Sequence, residues 1–285
     1  VYKRQRHRFL ADRSAASILE AMRDDTSIVF MPPTLIYKLL REPGLSPEQF
    51  PALRHLTYSA APMPAERIAD AQRAFGPRIS ALYGLTEAPV TISALGPDEM
   101  LDPELRRTAG RPCANTRVRI VDDAGNAMGP GTTGHVEALG PIVMRGYLDD
   151  AELTDAAFHD GWLRTGDLGF LDDEGYLTLA GRAGEVIISG GFNVYPAEVE
   201  NVLATLPGMR ECCVFAVEDD YWGERIEAAV VIESGANLSE TEVIEVARRK
   251  LGSVRAPKAV HFVDALPRNA VGKVVRRDLP GLVLA

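Results

Sequence analysis

The stretch Gly181–Glu200 reads GRAGEVIISGGFNVYPAEVE, and its parts favour different local structures. The β-branched run Val186–Ile188 predicts a strand. The pair Gly190–Gly191 indicates a tight turn or a place where a ligand passes close to the backbone. Pro196 then predicts the first position of a helix, because its fixed φ suits a helix N-terminus. A flexible joint followed by strand, turn and helix predicts that a new domain begins at residue 182.

The composition is that of an ordinary globular chain. Its 285 residues, 46% hydrophobic and 25% charged, predict one large or two ordinary domains. The net charge of −9 argues against nucleic-acid binding. No apolar run reaches the ~18 residues that a membrane span needs, and no N-terminal signal pattern is present. Cys113, Cys212 and Cys213 lack metal-ligand spacing, so we expect reduced thiols in a cytoplasmic protein.

Charge is uneven along the chain. Residues 248–285 hold nine Lys or Arg against two Asp, a net charge of +7. This excess indicates either a solvated basic face or a partner that bears phosphates.

The beginning of the chain, Val1–Gln5, reads VYKRQ, as a common transposase sequencing adapter would if it were translated in frame. We exclude these residues from fold reasoning. The first recognisable element then starts abruptly, so we expect the C-terminal part of a longer protein.

Strands alternate with helices over the first 82 residues, which predicts a parallel, doubly wound sheet. The predicted strands are residues 27–31, 55–59 and 79–82, and the predicted helices are residues 14–24, 33–41 and 64–75. In such sheets ligands bind beyond the carboxyl ends of the strands. Two loops are predicted there, Ser59–Pro62 and Tyr83–Glu87.

The remaining chain predicts two further units. Residues 108–181 alternate short strands and turns around one helix at 151–158, which we interpret as a small β-barrel-like subdomain. Within it, GPGTTG at Gly129–Gly134 lacks the Lys-Ser/Thr pair and the following helix of a phosphate loop, so a plain turn is favoured. Residues 182–285 predict a compact α+β domain, in which Ser239 and Glu242 form a helix capping box. The predicted fold class is therefore α/β plus α+β.

Tyr83–Glu87 offers an aromatic ring, a glycine, a hydroxyl and a carboxylate within five residues, YGLTE. These groups suit a nucleotide, because a ring stacks on a base, a hydroxyl donates to phosphate and a carboxylate binds Mg²⁺. A Thr-Glu pair that caps a helix is the alternative.

Thr165–Asp167, TGD, places a carboxylate after a predicted tight turn. Such a carboxylate binds both hydroxyls of a ribose or simply caps the turn. Arg182 has the charge to pair with Asp167 or to reach a phosphate. Lys273 lies in a predicted loop and, on its own, has the pattern of a surface lysine.

Taken together, these motifs resemble the adenylate-forming superfamily, and acyl-CoA synthetases in particular. The motifs are YGLTE at Tyr83, TGD at Thr165, the Gly181–Glu200 stretch and PRNAVGKVVRRDL at Pro267, with GYLDD at Gly146 and DDEGYL at Asp172. Their order and spacing agree from about residue 26 to residue 279.

The resemblance implies an enzyme that uses ATP and Mg²⁺ to convert a carboxylic acid, fatty or aryl, to an acyl-adenylate. The acyl group then passes to the thiol of CoA. Lys273 is implied to bridge the acyl carboxylate and the nucleotide, where its ammonium offsets the charge that develops. The implied small domain then rotates and brings Gly190–Asn193 to line the pantetheine channel.

Individual roles follow from the same resemblance. Tyr83 is implied to stack on adenine, Thr86 to meet the α-phosphate, and Glu87 to bind Mg²⁺. Asp167 and Arg182 are implied to hold the ribose. The implied catalytic residues are Thr86, Glu87 and Lys273, and the implied nucleotide-binding or CoA-binding residues are Ala60, Ala61, Tyr83, Gly84, Asp167, Arg182, Gly190, Gly191 and Asn193.

Two departures from the family pattern affect what is expected. The upstream Ser/Thr/Gly-rich phosphate loop that ends in Lys does not occur, so we expect an N-terminally truncated fragment that is inactive alone. Gly184 stands where the relatives carry Asp or Lys. Two alternatives stay open: an adenylation domain that loads a carrier protein, and a non-catalytic remnant that binds nucleotide or nothing. SAAPMP at Ser59 and APVT at Ala88 predict a small-residue lining that suits acyl or aryl acids.

Overall fold

A computed structural model describes residues 6–269 and 272–283 of the chain. The adapter-like Val1–Gln5 and two residues of the predicted Lys273 loop, Ala270 and Val271, lie outside this part. Three five-stranded sheets follow one another along the described chain. Of its helices, none combines the length and the apolar composition that crossing a membrane requires.

The first sheet has the strand order β1-β2-β3-β4-β5 and is mixed. Its strands are β1 Ile28–Met31, β2 His55–Tyr58, β3 Ile79–Leu85, β4 Ala88–Leu95 and β5 Arg111–Pro112, and its helices are α1 Ala15–Arg23, α2 Pro33–Leu39 and α3 Ala65–Phe75. β1, β2 and β3 pair in parallel as predicted, whereas β4 and β5 pair antiparallel. The prediction of a parallel sheet is therefore right for its first three strands only. β4 follows β3 after a turn of only two residues. The sequence has no helix between these strands that would indicate where β3 ends and β4 begins.

Helix α3 packs into the hydrophobic core of the first sheet. Ile68, Ala71 and Phe75 recur on one side of α3 and are fully buried. The ring of Phe75 lies 5.2 Å from that of Phe50, centroid to centroid. Because β2 and β3 run in parallel, their carboxyl ends and the loops that follow lie at the same end of the strands.

The second sheet is antiparallel and has the order β10-β9-β7-β6, with β8 paired to β9. Its elements are β6 Arg117–Val121, β7 Gly134–Leu139, α4 Ala151–Ala157, β8 Phe158–His159, β9 Trp162–Leu171 and β10 Leu177–Arg182. The prediction of a barrel-like unit is wrong, because β6 and β10 do not pair with each other in the described residues. The free edge of β10 is covered instead by the chain before β5, since Leu177 exchanges backbone hydrogen bonds with Ala109 and Gly110.

The third sheet lies after residue 182 and has the order β12-β11-β14-β13, with β15 paired to β14. Its elements are β11 Ile187–Ser189, β12 Phe192–Val194, α5 Pro196–Leu203, β13 Met209–Asp219, β14 Gly223–Ile232, α6 Glu240–Arg255, β15 Ala259–Phe262 and α7 Leu279–Val283. Val199 of α5 and Val243 of α6 pack on one face, and Leu279 of α7 packs on the other. The predicted capping box is confirmed, because the Ser239 hydroxyl accepts from the Glu242 amide and the Glu242 carboxylate accepts from the Ser239 amide. We call residues 183–283 the C-terminal unit.

Single turns of 3-10 helix complete the described chain, at Pro47–Gln49, Glu99–Leu101, Leu105–Arg107, Ala183–Glu185 and Arg276–Asp278. The turn Ala183–Glu185 connects β10 to β11, which is where the sequence predicts a joint. All three cysteines are free thiols.

The basic excess of the last 38 residues is offset in part by acids elsewhere in the fold. Five of its arginines form ion pairs: Arg248 with Glu245, Arg255 with Glu198, Arg268 with Glu211, Arg276 with Glu185 and Glu200, and Arg277 with Asp278. Four of the nine basic side chains therefore pair with acids outside the segment, and Arg277 pairs within it. Lys273 takes part in none of the ion pairs that the described residues form, and its side chain is exposed.

The contact between the first two sheets depends on Gly110. Its φ is +81°, and a Cβ at this position would lie 1.9 Å from the carbonyl oxygen of Ala94 in β4. Only glycine therefore lets the chain pass between β4 and Leu177 of β10.

We expect Gly110→Ala to lower the free energy of unfolding by about 2–5 kcal/mol, which combines a left-handed backbone with an overpacked contact. Gly175→Ala is the matched control, because Gly175 also has a φ of +81° but no atom within 4 Å of an added Cβ. The control should lose only about 1–2 kcal/mol. Urea unfolding followed by circular dichroism measures both losses, and equal losses would contradict the proposed contact.

Candidate functional site

The carboxylate of Asp167 is the centre of a polar cluster that joins the first two sheets. The hydroxyl of Tyr83, on β3, donates to Asp167 Oδ2 at 2.5 Å. Arg182 Nε, on β10, lies 2.9 Å from Asp167 Oδ1, and the two residues are direct cross-strand partners. The structure thus brings three predicted site residues into direct contact, although the sequence assigned Tyr83 and Asp167 to different parts of a nucleotide.

The backbone around Asp167 is held by Thr165. The Thr165 hydroxyl donates to the Val136 carbonyl at 2.8 Å and accepts from the Asp167 amide at 3.1 Å. Arg182 Nη1 donates to the Thr165 carbonyl at 3.0 Å. These bonds hold the Asp167 backbone and the Arg182 guanidinium.

The predicted tight turn at Thr165–Asp167 is wrong, because these residues lie inside β9. The β7–β9 register is irregular here, since His135 faces Leu168 and Glu137 faces Arg164. Such an irregularity redirects side chains within a continuous strand. A glycine inside the motif suggested a turn, and the pairing with β7 could not be read from the local sequence.

Burial raises the pKa of the Asp167 carboxyl above its ordinary value, although the Tyr83 hydrogen bond and the charges of Arg182 and Lys273 act to lower it. Burial and the Asp167 charge also raise the pKa of Tyr83, which stays protonated as the donor.

Thr86 and Glu87 form the turn between β3 and β4, immediately after Leu85. The sequence predicted a loop over residues 83–87, but β3 continues to Leu85, which pairs with Ala88 of β4. The β3–β4 register shifts at Gly84, between the pairs made by Tyr83 and Leu85. The alternative of a helix-capping Thr-Glu pair is wrong, because a strand follows Glu87.

Glu87 is held by a residue to which the sequence assigned no role. Tyr147 donates its hydroxyl to Glu87 Oε1 at 2.8 Å, and this hydrogen bond raises the Tyr147 pKa. The Glu87 carbonyl accepts from the Met144 amide at 2.7 Å. The GYLDD motif contains Tyr147, but nothing in the motif indicates its partner.

The donor set at Glu87 fits a magnesium ion that also binds a nucleotide. Mg²⁺ usually binds proteins through one or two carboxylates and completes its shell with substrate phosphates and water. The described residues contain no group of three or more His, Cys, Asp or Glu that could hold a metal without such help.

The Ser59–Pro62 loop follows β2, and it lies at the carboxyl ends of the strands, as the β3–β4 turn does. Ala60 is exposed and has a φ of +77°, a conformation that non-glycine residues rarely adopt. Ala61 follows it and is half-buried. A strained loop of small side chains at the carboxyl ends of the strands is compatible with the predicted binding role.

Lys273 lies in a loop that is tightly bonded to itself. Its amide donates to Asn269 Oδ1 at 2.9 Å, and Arg268 Nη1 donates to the Gly272 carbonyl at 2.8 Å. Arg268 also pairs with Glu211 of β13 at 2.6 Å. Arg268 therefore connects the backbone beside Lys273 to β13, and the lysine side chain is exposed.

The predicted CoA-binding residues lie on the β11–β12 hairpin. Gly190 and Gly191, with φ of +56° and +80°, form its two-residue turn, as the sequence predicts. The Gly190 amide donates to the Trp222 carbonyl at 2.8 Å, and Asn193 is exposed. Across the described chain, no hydrogen bond or ion pair joins this hairpin to the Asp167 cluster, so the structure does not bring these two sets of predicted residues together.

Comparison with known proteins identifies one family. Sequence profiles described as AMP-binding enzyme and AMP-binding enzyme C-terminal domain match residues 7–148 and 198–273. Medium/long-chain-fatty-acid–CoA ligase FadD8 of Mycobacterium tuberculosis is 34% identical over 93% of this chain and 48% of its own length. 2-Succinylbenzoate–CoA ligase of Bacillus licheniformis is 35% identical over 93% of this chain and 54% of its own length. Fatty acid–[acyl-carrier-protein] ligase ScoC of Streptomyces coeruleorubidus is 32% identical over 95% of this chain and 52% of its own length. The chain spans about half the length of these relatives.

Solved structures agree with the sequence matches. The amide bond synthetase McbA of Marinactinospora thermotolerans superposes with a TM-score of 0.89 at 34% identity, over 94% of this chain and 55% of that one. ATP-bound MatB of Rhodopseudomonas palustris gives a TM-score of 0.87 at 32% identity, over 95% and 53% of the two chains. The apo form of MatB gives 0.78 over 94% and 53%.

The raised pKa of Asp167 predicts how stability depends on pH. The folded chain holds this proton to a higher pH than the unfolded chain does, so its contribution to stability falls as the pH rises above the ordinary carboxyl range of about 4. We expect Asp167→Asn to raise the urea midpoint at pH 7, and the gain to vanish as the pH falls to about 3.

Asp155→Asn, which removes an exposed acid of α4, is the control for the loss of one negative charge. An Asp167→Asn variant that is less stable than the wild type at pH 7 would contradict the assignment.

Proposed function

Since this chain belongs to the AMP-binding enzyme family, we propose that it carries the nucleotide site and the C-terminal unit of an enzyme that activates a carboxylic acid with ATP. The activated acyl group then passes to CoA. The observation that carries the proposal is the contact of Asp167 with Tyr83 and Arg182.

We propose that Asp167 accepts hydrogen bonds from the ribose hydroxyls. Its two oxygens are already oriented by Tyr83 and Arg182, and each oxygen keeps acceptor capacity for a hydroxyl. Orientation before binding lowers the entropic cost of holding the nucleotide. In this proposal the Tyr83 hydroxyl is a positioning group, and its ring face is the part that meets adenine.

Glu87 and Thr86 would serve the phosphates. Glu87 is the residue that would hold Mg²⁺, which neutralises phosphate charge when it is bound. Tyr147 fixes one Glu87 oxygen and so sets the direction of the carboxylate. Thr86 is exposed at the same turn, where its hydroxyl is free to donate to the α-phosphate.

Lys273 would act in adenylate formation. A carboxylate oxygen of the acid attacks the α-phosphorus, and pyrophosphate leaves with the electrons of the broken P–O bond. A fixed ammonium beside the reacting oxygens offsets this charge.

A second orientation would serve thioester formation. We propose that the C-terminal unit rotates about Ala183–Glu185, withdraws Lys273 and brings Gly190–Asn193 against the pantetheine of CoA. Gly184 has no atom within 4 Å of an added Cβ, so the joint is open to rotation. A carrier-protein thiol is the second candidate acceptor, supported by the similarity to the acyl-carrier-protein ligase.

The two half-reactions of Lys273→Ala test the proposal, in a version of the protein that also carries the upstream half found in the relatives. We expect adenylate formation to fall by about 10²–10³, the scale for loss of one fixed electrostatic donor. Transfer from a pre-made acyl-adenylate to CoA should stay near the wild-type rate. Single-turnover assays of each half measure both rates.

Arg277→Ala is the matched control, because Arg277 is another cation of the same tail, with a side chain 89% exposed. It should leave both halves unchanged. Equal losses of both halves in Lys273→Ala would overturn the proposed role, and transfer to a carrier-protein thiol but not to CoA would favour the second acceptor.

A further inference from the structure

Among the hydrogen bonds and ion pairs of the described residues, Arg67 makes those that join helix α3 to the C-terminal unit. Arg67 Nη2 donates to the Met209 carbonyl and to Glu233 Oε1, both at 2.8 Å. Met209 begins β13, and Glu233 directly follows β14. The two acceptors therefore lie at adjacent strand ends of the third sheet, and one guanidinium nitrogen binds both.

The guanidinium is oriented from its own side of the contact. Arg67 Nη1 donates to Asp70 Oδ2 at 3.0 Å, one turn further along α3. The Arg67 side chain is 26% exposed, and Glu233 is 49% exposed. Arg67 is therefore held in place by a residue of the first sheet's own helix and reaches across to the C-terminal unit from there.

The same side of the C-terminal unit carries the Lys273 loop. A Cβ added at Gly272 would lie 3.8 Å from the hydroxyl of Thr34, at the start of α2, which is van der Waals contact. Arg268 ties the Gly272 carbonyl to Glu211, two residues after Met209 on β13. The Arg67 contact and the lysine loop are thus attached to the same strand.

The covalent link between the two parts of the chain is short, and α5 of the C-terminal unit also lies against β10. The link is the single turn Ala183–Glu185, and the space around Gly184 is open. A contact far from this joint restricts rotation about the joint, and so the orientation of β13, more strongly than a contact close to it.

We infer that Arg67 is a positioning residue, which holds the C-terminal unit in the orientation that directs Lys273 to the Asp167 cluster. This inference rests on the proposed function for its consequence in catalysis, but the orientation itself is open to measurement without any reaction. Arg67 acts through Met209, β13 and the Arg268-bonded loop, and it touches neither the Asp167 cluster nor Lys273 in the described structure.

Small-angle X-ray scattering of this chain tests the orientation. We expect Arg67→Ala and Glu233→Gln to broaden the pair-distance distribution and to increase the maximum dimension. Arg73→Ala is the matched control, because Arg73 lies on the same helix and also pairs with Asp70, yet makes no hydrogen bond or ion pair with the C-terminal unit in the described residues.

Glu233→Gln keeps the inference testable if Arg67→Ala fails to fold, because it changes only the charge of a half-exposed side chain. Scattering curves of Arg67→Ala and Glu233→Gln that match the wild type, in folded proteins, would overturn the inference.

The half-reactions give the second readout, in the version that carries the upstream half. Arg67→Ala should slow adenylate formation by about tenfold, the scale of a partly exposed charged hydrogen bond, and should leave transfer from a pre-made adenylate intact. Lys273→Ala is the reference for the proposed function. If Lys273→Ala slows adenylation while Arg67→Ala behaves like Arg73→Ala, the positioning role is wrong. If Lys273→Ala has no effect, the proposed function is wrong. In that case the scattering measurements alone test whether Arg67 holds the orientation of the C-terminal unit.

Discussion

The Asp167 carboxylate is costly to bury, and the surrounding structure is arranged to compensate for that cost. It is 8% exposed, and its two oxygens each meet a donor from a different strand, Tyr83 on β3 and Arg182 on β10. Burial still raises its pKa, so these contacts offset the desolvation in part only. A group kept at such a cost in a folded chain is typical of a functional site.

The position of this carboxylate depends on how two sheets meet. Tyr83 belongs to the first sheet and Asp167 to the second, so their 2.5 Å contact requires the sheets to approach closely. Gly110 permits that approach, because its backbone bonds to Leu177 while its missing Cβ leaves room for Ala94. The site is therefore built by packing between sheets.

The sequence predicted what local pattern and motif order determine. Helix starts at Pro33 and Pro196, the capping box at Ser239 and the Gly190–Gly191 turn depend on residues close together, and the structure has all of them. It could not predict contacts set by pairing between distant strands. The irregular β7–β9 register at TGD, the hydrogen bond from Tyr147 to Glu87 and the reach of Arg67 to Glu233 depend on tertiary packing, which no local pattern specifies.

The central claim is that Asp167, oriented by Tyr83 and Arg182, recognises a ribose. Calorimetric titration of this chain with AMP and with 2′-deoxy-AMP tests it most directly, with wild type and Asp167→Ala side by side. The wild type should prefer AMP by about tenfold or more, since a charged hydrogen bond contributes about 1.5–3 kcal/mol, and Asp167→Ala should bind both nucleotides with equal, weaker affinity. A wild type that binds the two nucleotides equally, or a variant that keeps the preference, would contradict the account.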